Sequence, residues 1–193
     1  MAAAPVSDGC AADGGVPLLP RQRAWTAHQQ GTPWDADGFL AAVEKFGPDA
    51  DFIVAPDIVE GGQDSLWLSL RYLVPIRRLA GPKPWILIPA QNGLGVREFH
   101  SYIHGGRIVK TGVFIGGSTE YKLAAIRLFG PWCKARDVWC HAGRVNSQRR
   151  IRLCANAGIT SFDGSGPSRF AKHLDVLERE LRQGCLFLPE VGL

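Results

Sequence analysis

The chain has 193 residues, of which 46% are hydrophobic and 21% charged, with a net charge of +4. These proportions suit one globular domain with a sizeable core and exclude a chain disordered throughout. No apolar run approaches the roughly 20 residues that a membrane-spanning helix needs, and the small positive excess permits a polyanionic partner without requiring one.

Residues 1–16 are rich in Ala, Gly and Asp and lack the charged start and apolar stretch of a signal peptide. Residues 1–23 read as a flexible leader and 24–193 as a single domain. From residue 35 the pattern repeats. Residues 35–46 place Phe39, Leu40, Val43 and Phe46 on one helical face. Residues 51–56 (DFIVAP) read as a strand. Gly61 and Gly62 break the chain, and Asp64 is expected to cap a helix reaching Leu79. A strand follows at 85–89, then a turn at 93–95 and a helix over 96–103. Residues 110–115 form the next strand, and Ser118 caps a helix to Phe129. Strands at 137–141 and 159–163 flank a helix over 145–156, and residues 167–183 form the last helix.

Five strand–helix units in succession imply a parallel sheet with helical crossovers. Either an open doubly wound sheet or a (β/α) barrel satisfies the pattern. No GxGxxG follows the first clear strand, which disfavours a dinucleotide-binding fold. The five cysteines, Cys10, Cys133, Cys140, Cys154 and Cys185, are widely spaced without a CxxC. That spacing disfavours a disulfide framework or a zinc site, and a reducing cytoplasm is the expected compartment.

Chemistry in parallel α/β folds gathers at the carboxyl ends of strands. The strand ends here carry Asp57, Gln91–Asn92, Gly116–Gly117, His141 with Gly143, and Asp163–Gly164. Each has a plain reading: an aspartate starting a turn, Asn-Gly as a turn pair, glycines for packing, a core histidine. Their joint recurrence at five successive ends favours a site.

Residues 51–57, 86–91, 113–117 and 141–170 together resemble the tRNA-guanine transglycosylase superfamily. The likeness is greatest to its phage and bacterial branch, which inserts 7-deazaguanine derivatives into DNA. The stretch HAGRVNSQRRIRLCANAGITSFDGSGPSRF carries most of it. The resemblance implies a (β/α) TIM-type barrel, here shortened at its N-terminus. It also implies Asp163 as nucleophile, Asp57 as the reader of the purine edge and Gln91 as the holder of the base carbonyl. Gly116 and Gly117 would offer backbone to the base, with His141 beside it.

A carboxylate that attacks an anomeric carbon and expels a base is sound chemistry for Asp163. The base would have to leave the stack. Partners implied are DNA, with tRNA as the alternative, and a cyano- or aminomethyl-7-deazaguanine base. A second copy or a partner chain would complete the barrel. No organic cofactor and no metal are expected, and a phage-encoded enzyme would act in the host cytoplasm. The early aspartate of the family is missing; residues 24–32 (AWTAHQQGT) offer His28 for acid–base work instead. The family's late cysteine-rich zinc site is absent as well. Arg144, Arg169 and Lys172 are the expected phosphate contacts, whereas Arg149 and Arg150 read as a solvated helix face. Trp25, Trp34 and Trp67 are candidates for stacking on bases.

Overall fold

The computed structural model describes residues 34–103 and 110–164. The expected leader and the expected helix over 167–183 lie outside these residues.

Asp35 opens helix α1 (Ala36–Phe46) by accepting the Gly38 N–H at 2.8 Å. A short 3-10 turn leads to strand β1 (Phe52–Val54). Helix α2 (Gly62–Ala80), strand β2 (Trp85–Ala90), a single helical turn α3 (Val96–Phe99) and strand β3 (Thr111–Ile115) follow. Helix α4 (Thr119–Lys134), strand β4 (Cys140–Ala142), helix α5 (Gln148–Ala157) and strand β5 (Ser161–Phe162) complete the described chain.

The five strands form one parallel sheet in the order β1-β2-β3-β4-β5. Consecutive strands are neighbours, so among the described residues the sheet has no switch point of the doubly wound kind. It curls into a half-barrel. The alternation of side chains sorts the strands into two faces. Ile53, Ile86, Ile88, Val113, Ile115, Cys140 and Ala142 face the helices and are buried. One cluster packs Ile53 and Ile86 on Val43 and Ile76 of α1 and α2. A larger one packs the rest on α2, α4 and α5, with Phe99 and Phe129 edge to face at 5.2 Å. The opposite face carries Phe52, Leu87, Phe114 and His141 by register. Gly112 belongs to it too: a side chain there would meet Leu87 Cδ2 at 2.6 Å and overlap the Trp139 carbonyl.

Several element ends differ from expectation. Asp64 does not cap α2; it lies in the first turn, two residues beyond the helix start, and Gly61 occupies the cap. Helix α3 spans one turn and not 96–103, because the Tyr102 and Ile103 N–H groups both turn back onto the Phe99 carbonyl. Helix α4 continues past Phe129 through Gly130 and Pro131 to Lys134. A side chain at Gly130 would overlap the Ala157 carbonyl of α5, so the glycine is where the two helices touch. Tertiary packing there outweighs the weak local propensity of Gly-Pro. Strand β4 begins at Cys140 instead of 137, and β5 is confined to Ser161–Phe162. Helix α5 starts at Gln148, capped by Ser147, and not at 145.

Cys133, Cys140 and Cys154 are buried free thiols of the core. A hydrogen bond with Cys133, then burial, pushes the Cys140 thiol well up, and burial pushes Cys154 to about 11. Neither is a thiolate near neutral pH, in keeping with packing and not with nucleophilic or metal chemistry.

Phe129→Ala should lower unfolding free energy by about 3–5 kcal/mol, read by denaturant titration. An unfolded Cys154 thiol ionises before the buried one. Stability contributed by the protonated thiol is therefore present below the ordinary thiol range and lost as pH rises from 9.0 to about 11. Cys154→Ala should flatten that alkaline fall in a melting series.

Candidate active site

The carboxyl ends of all five strands open on one rim. At the exit of β1, two serines of α2 hold the chain. Ser69 Oγ donates to the Pro56 carbonyl at 2.6 Å, and Ser65 Oγ accepts the Ile58 N–H at 3.1 Å. Asp57 sits between these ties, half-buried. Gln91, at the exit of β2, is 2% exposed. Its Nε2 donates to Asp57 Oδ2 through a short hydrogen bond. Its Oε1 accepts the Glu60 N–H at 3.2 Å, from a backbone held at φ 57°. The buried amide is thereby satisfied at both ends, as burial requires.

The exit of β3 is shaped around these groups. A side chain at Gly116 would lie 2.6 Å from Gln91 Nε2. Gly117 has φ 76° and leaves room for the side chain of Asn92. Asn92 Oδ1 accepts the Ser118 N–H at 2.9 Å, tying the β2 exit to the cap of α4. Both glycines therefore make space for neighbouring side chains of the rim.

At β4 and β5 a second group forms. His141 is 4% exposed. Its ring stacks on Phe114 at 5.1 Å and lies 5.1 Å from Phe52. Nε2 is 3.2 Å from Asp163 Oδ2, and Nδ1 is 2.8 Å from Ser161 Oγ. The other Asp163 oxygen accepts the Arg144 N–H at 2.7 Å. Arg144 presents that N–H from a left-handed backbone, φ 59°, at the β4–α5 turn. The Asp163 side chain is 39% exposed while its histidine partner is 5% exposed. The carboxylate thus sits at the mouth and the imidazole behind it.

The hydrogen bonds assign the tautomer. The Trp139 indole, which only donates, gives its N–H to Ser161 Oγ at 2.8 Å. The serine hydroxyl proton is then available for His141 Nδ1. The imidazole proton falls on Nε2, directed at the carboxylate. A Trp139–Ser161–His141–Asp163 series results, with both oxygens of Asp163 held by donors.

Among the expected residues, the fold brings Asp57, Gln91, Gly116 and Gly117 into one cluster and His141, Asp163 and the Arg144 backbone into another. Both lie on the same rim, where Gln91 after β2 and Asp163 after β5 are three strand spacings apart, about 14 Å along the sheet before curl shortens the distance. His141 was expected beside a base; its two ring nitrogens instead face Ser161 and Asp163, because a buried imidazole needs partners for both. His28, Arg169, Lys172 and Trp25 lie outside the described residues. Trp34 packs edge-on against Tyr72 at 5.0 Å and against Phe39, so it belongs to the core around α1. Trp67 is 53% exposed on α2. Sequence reasoning missed Ser161, Trp139 and the structural side of Asn92. No spacing signal marks the first two, although Trp139 and Ser161 stand two residues before His141 and Asp163 and so share their sheet face. Among the described residues no group of three His, Cys, Asp or Glu side chains is placed to hold a metal ion. No protein-family model, curated protein or solved structure matches this chain.

Nitrogen-15 NMR at neutral pH should show His141 protonated on Nε2. Ser161→Ala, which removes the partner of Nδ1, should destabilise the protein by about 1–3 kcal/mol and disturb this tautomer. An unchanged His141 spectrum would remove Ser161 from the series.

Proposed function

We propose that this chain is a nucleobase-exchanging transglycosylase that replaces guanine in DNA with a 7-deazaguanine base. The observation that carries the reading is Asp163: a half-exposed carboxylate with both oxygens oriented, on the same strand-end rim as the Asp57–Gln91 pair. The resemblance of residues 141–170 to the guanine transglycosylases supports it, and a half-barrel of consecutive parallel strands is what a shortened TIM-type barrel would contain.

In this reading Asp163 attacks C1′ of a deoxyguanosine residue. The C1′–N9 bond breaks, its electron pair leaves on guanine, and a covalent sugar–aspartate ester forms. The incoming base attacks C1′ through N9, loses its N9 proton and releases the carboxylate. The departing guanine takes up one proton and the arriving base gives one up, so the exchange is neutral overall. The His141 Nε2–H and the Arg144 N–H hold the nucleophile along one line of approach. Charge developing on the sugar in the oxocarbenium-like transition state is stabilised by the same carboxylate. Asp57 accepts from N1–H and the exocyclic amine of guanine, and Gln91 donates to O6. Gly116 and Gly117 keep the β3 exit open. Residues outside the described ones, His28 among them, are left to supply the proton of the leaving base.

One observation favours a second reading, a base- or nucleic-acid-binding protein without turnover. The early aspartate that serves acid–base chemistry in the resembled family is missing, and residues 24–32 offer His28 in its place.

The test is incorporation of a labelled 7-deazaguanine base into DNA and, separately, into tRNA. Wild-type protein should label DNA, and Asp163→Ala should lower the rate by at least about 10³-fold, as expected of a lost nucleophile. His141→Gln should retain exchange at a reduced rate. Label in tRNA would keep the chemistry and change the substrate. Base binding with no label in either would establish the binding-only reading.

A further inference from the structure

The positive charge of this protein is concentrated in two neighbouring helices. Helix α4 carries Lys122, Arg127 and Lys134 against Glu120, and α5 carries Arg149, Arg150 and Arg152 with no acid. Their charges are +2 and +3, whereas the whole chain is at +4, so all other residues together stand at −1. The cations converge. A groove of about 210 Å³ between the two helices is lined, among the described residues, by Leu123, Arg127, Arg149, Arg152, Leu153 and Asn156, none of them a carboxylate. Arg127, Arg149 and Arg152 are all exposed. The Arg127 guanidinium touches only a carbonyl of its own helix, and neither it nor Arg149 has a carboxylate partner among the described residues. Placing the Arg127 and Arg149 guanidinium groups on one groove is unfavourable until an anion joins them.

The groove has a neighbour on the side of the rim. A second, smaller cleft shares Leu123 with it and is lined by Lys122, Arg150 and Arg144. Arg144 is the residue whose N–H holds Asp163. Arg144, at the mouth of the candidate site, and Arg150 thus stand on the rim side of the arginine groove. Its lining alternates guanidinium groups with Leu123 and Leu153, which suits a chain of separated anionic groups better than one compact multivalent anion.

We propose that the α4–α5 groove is the track for the phosphodiester backbone of the DNA strand whose target base occupies the rim. This rests on the reading of the rim as a DNA-base site, and it assigns a binding role to Arg127, Arg149 and Arg152, which that reading does not use. Guanidinium groups grip successive phosphates, and the helix face sets the direction in which the strand leaves the site.

Fluorescence anisotropy with a labelled single-stranded DNA oligonucleotide tests it, titrated between about 50 and 200 mM salt. Each single-strand phosphate contact contributes about −0.7 to the slope of log K against log salt. The double variant Arg127→Gln/Arg149→Gln should lose on the order of tenfold in affinity and flatten the slope by about 1.4. Arg149→Gln/Arg152→Gln should do the same. Arg71→Gln/Arg78→Gln on exposed positions of α2 removes equal charge and should leave both quantities unchanged. Equal losses in the α2 and groove variants, unchanged binding in the groove variants, or no binding of DNA by the wild type would overturn the proposal. Tighter binding of RNA of the same sequence would overturn the choice of DNA. Base incorporation, measured on the same preparations, separates the two readings. A groove-dependent slope without exchange keeps the track and removes the transglycosylase. Exchange without groove dependence removes the track alone.

Discussion

Parallel pairing of consecutive strands is the constraint from which the rest of this molecule follows. All five described strands run parallel, with α2, α4 and α5 as crossovers packed on one face, so every carboxyl end opens on one rim. Residues scattered between positions 57 and 163 are brought to a common edge by this rule alone. The helix-facing side of the sheet is filled with Ile, Val, Cys and Ala, and its burial against α1, α2, α4 and α5 holds the rim in place. Each fully buried aliphatic side chain on that face contributes about 1.5–3 kcal/mol.

The other face of the sheet has a different economy. His141 stands between Phe52 and Phe114, where an unpartnered imidazole nitrogen would be unfavourable. Ser161 and Asp163, on the adjoining strand, supply the partners, and Trp139 on the same strand as His141 orients the serine. His141 is the most deeply buried of these four side chains, and the Asp163 carboxylate, 39% exposed, reaches the mouth. Burial and hydrogen bonding thus direct one group outward by using up the others. Strand register produces that arrangement, since His141 pairs with Ser161 and Asp163 lies two residues further along the same face.

Glycines act as shaped absences at the rim. Gly116 admits Gln91 and Gly117 admits Asn92, so the β3 exit is defined by its neighbours' side chains. The charges of α4 and α5 follow a separate logic. Lys122 is buried and donates to the Gly143 carbonyl, whereas Arg127, Arg149 and Arg152 are exposed and place three guanidinium groups along one seam. Core, rim and helix surface thereby draw on distinct residue types.

Much of this was legible in the sequence. The alternation of β-branched runs with amphipathic stretches establishes the α/β class, because periods of 2 and 3.6 residues are local properties. The same locality places Asp57, Gln91, Gly116, His141 and Asp163 at strand ends before any contact is known. Strand order was not legible: an open doubly wound sheet and a curled half-barrel share the same alternation and differ only in which strands pair. The continuation of α4 through Gly130–Pro131 depends on the closeness of Ala157, twenty-seven residues away. Nor could the sequence reveal that Asp57 meets Gln91, or that His141 lies behind Asp163. Those bonds join residues 34 and 22 positions apart, and sheet register and curl decide them. Sequence determined which residues reach the rim; tertiary structure decided which of them face one another, because side-chain hydrogen bonds span strands that the chain itself keeps far apart.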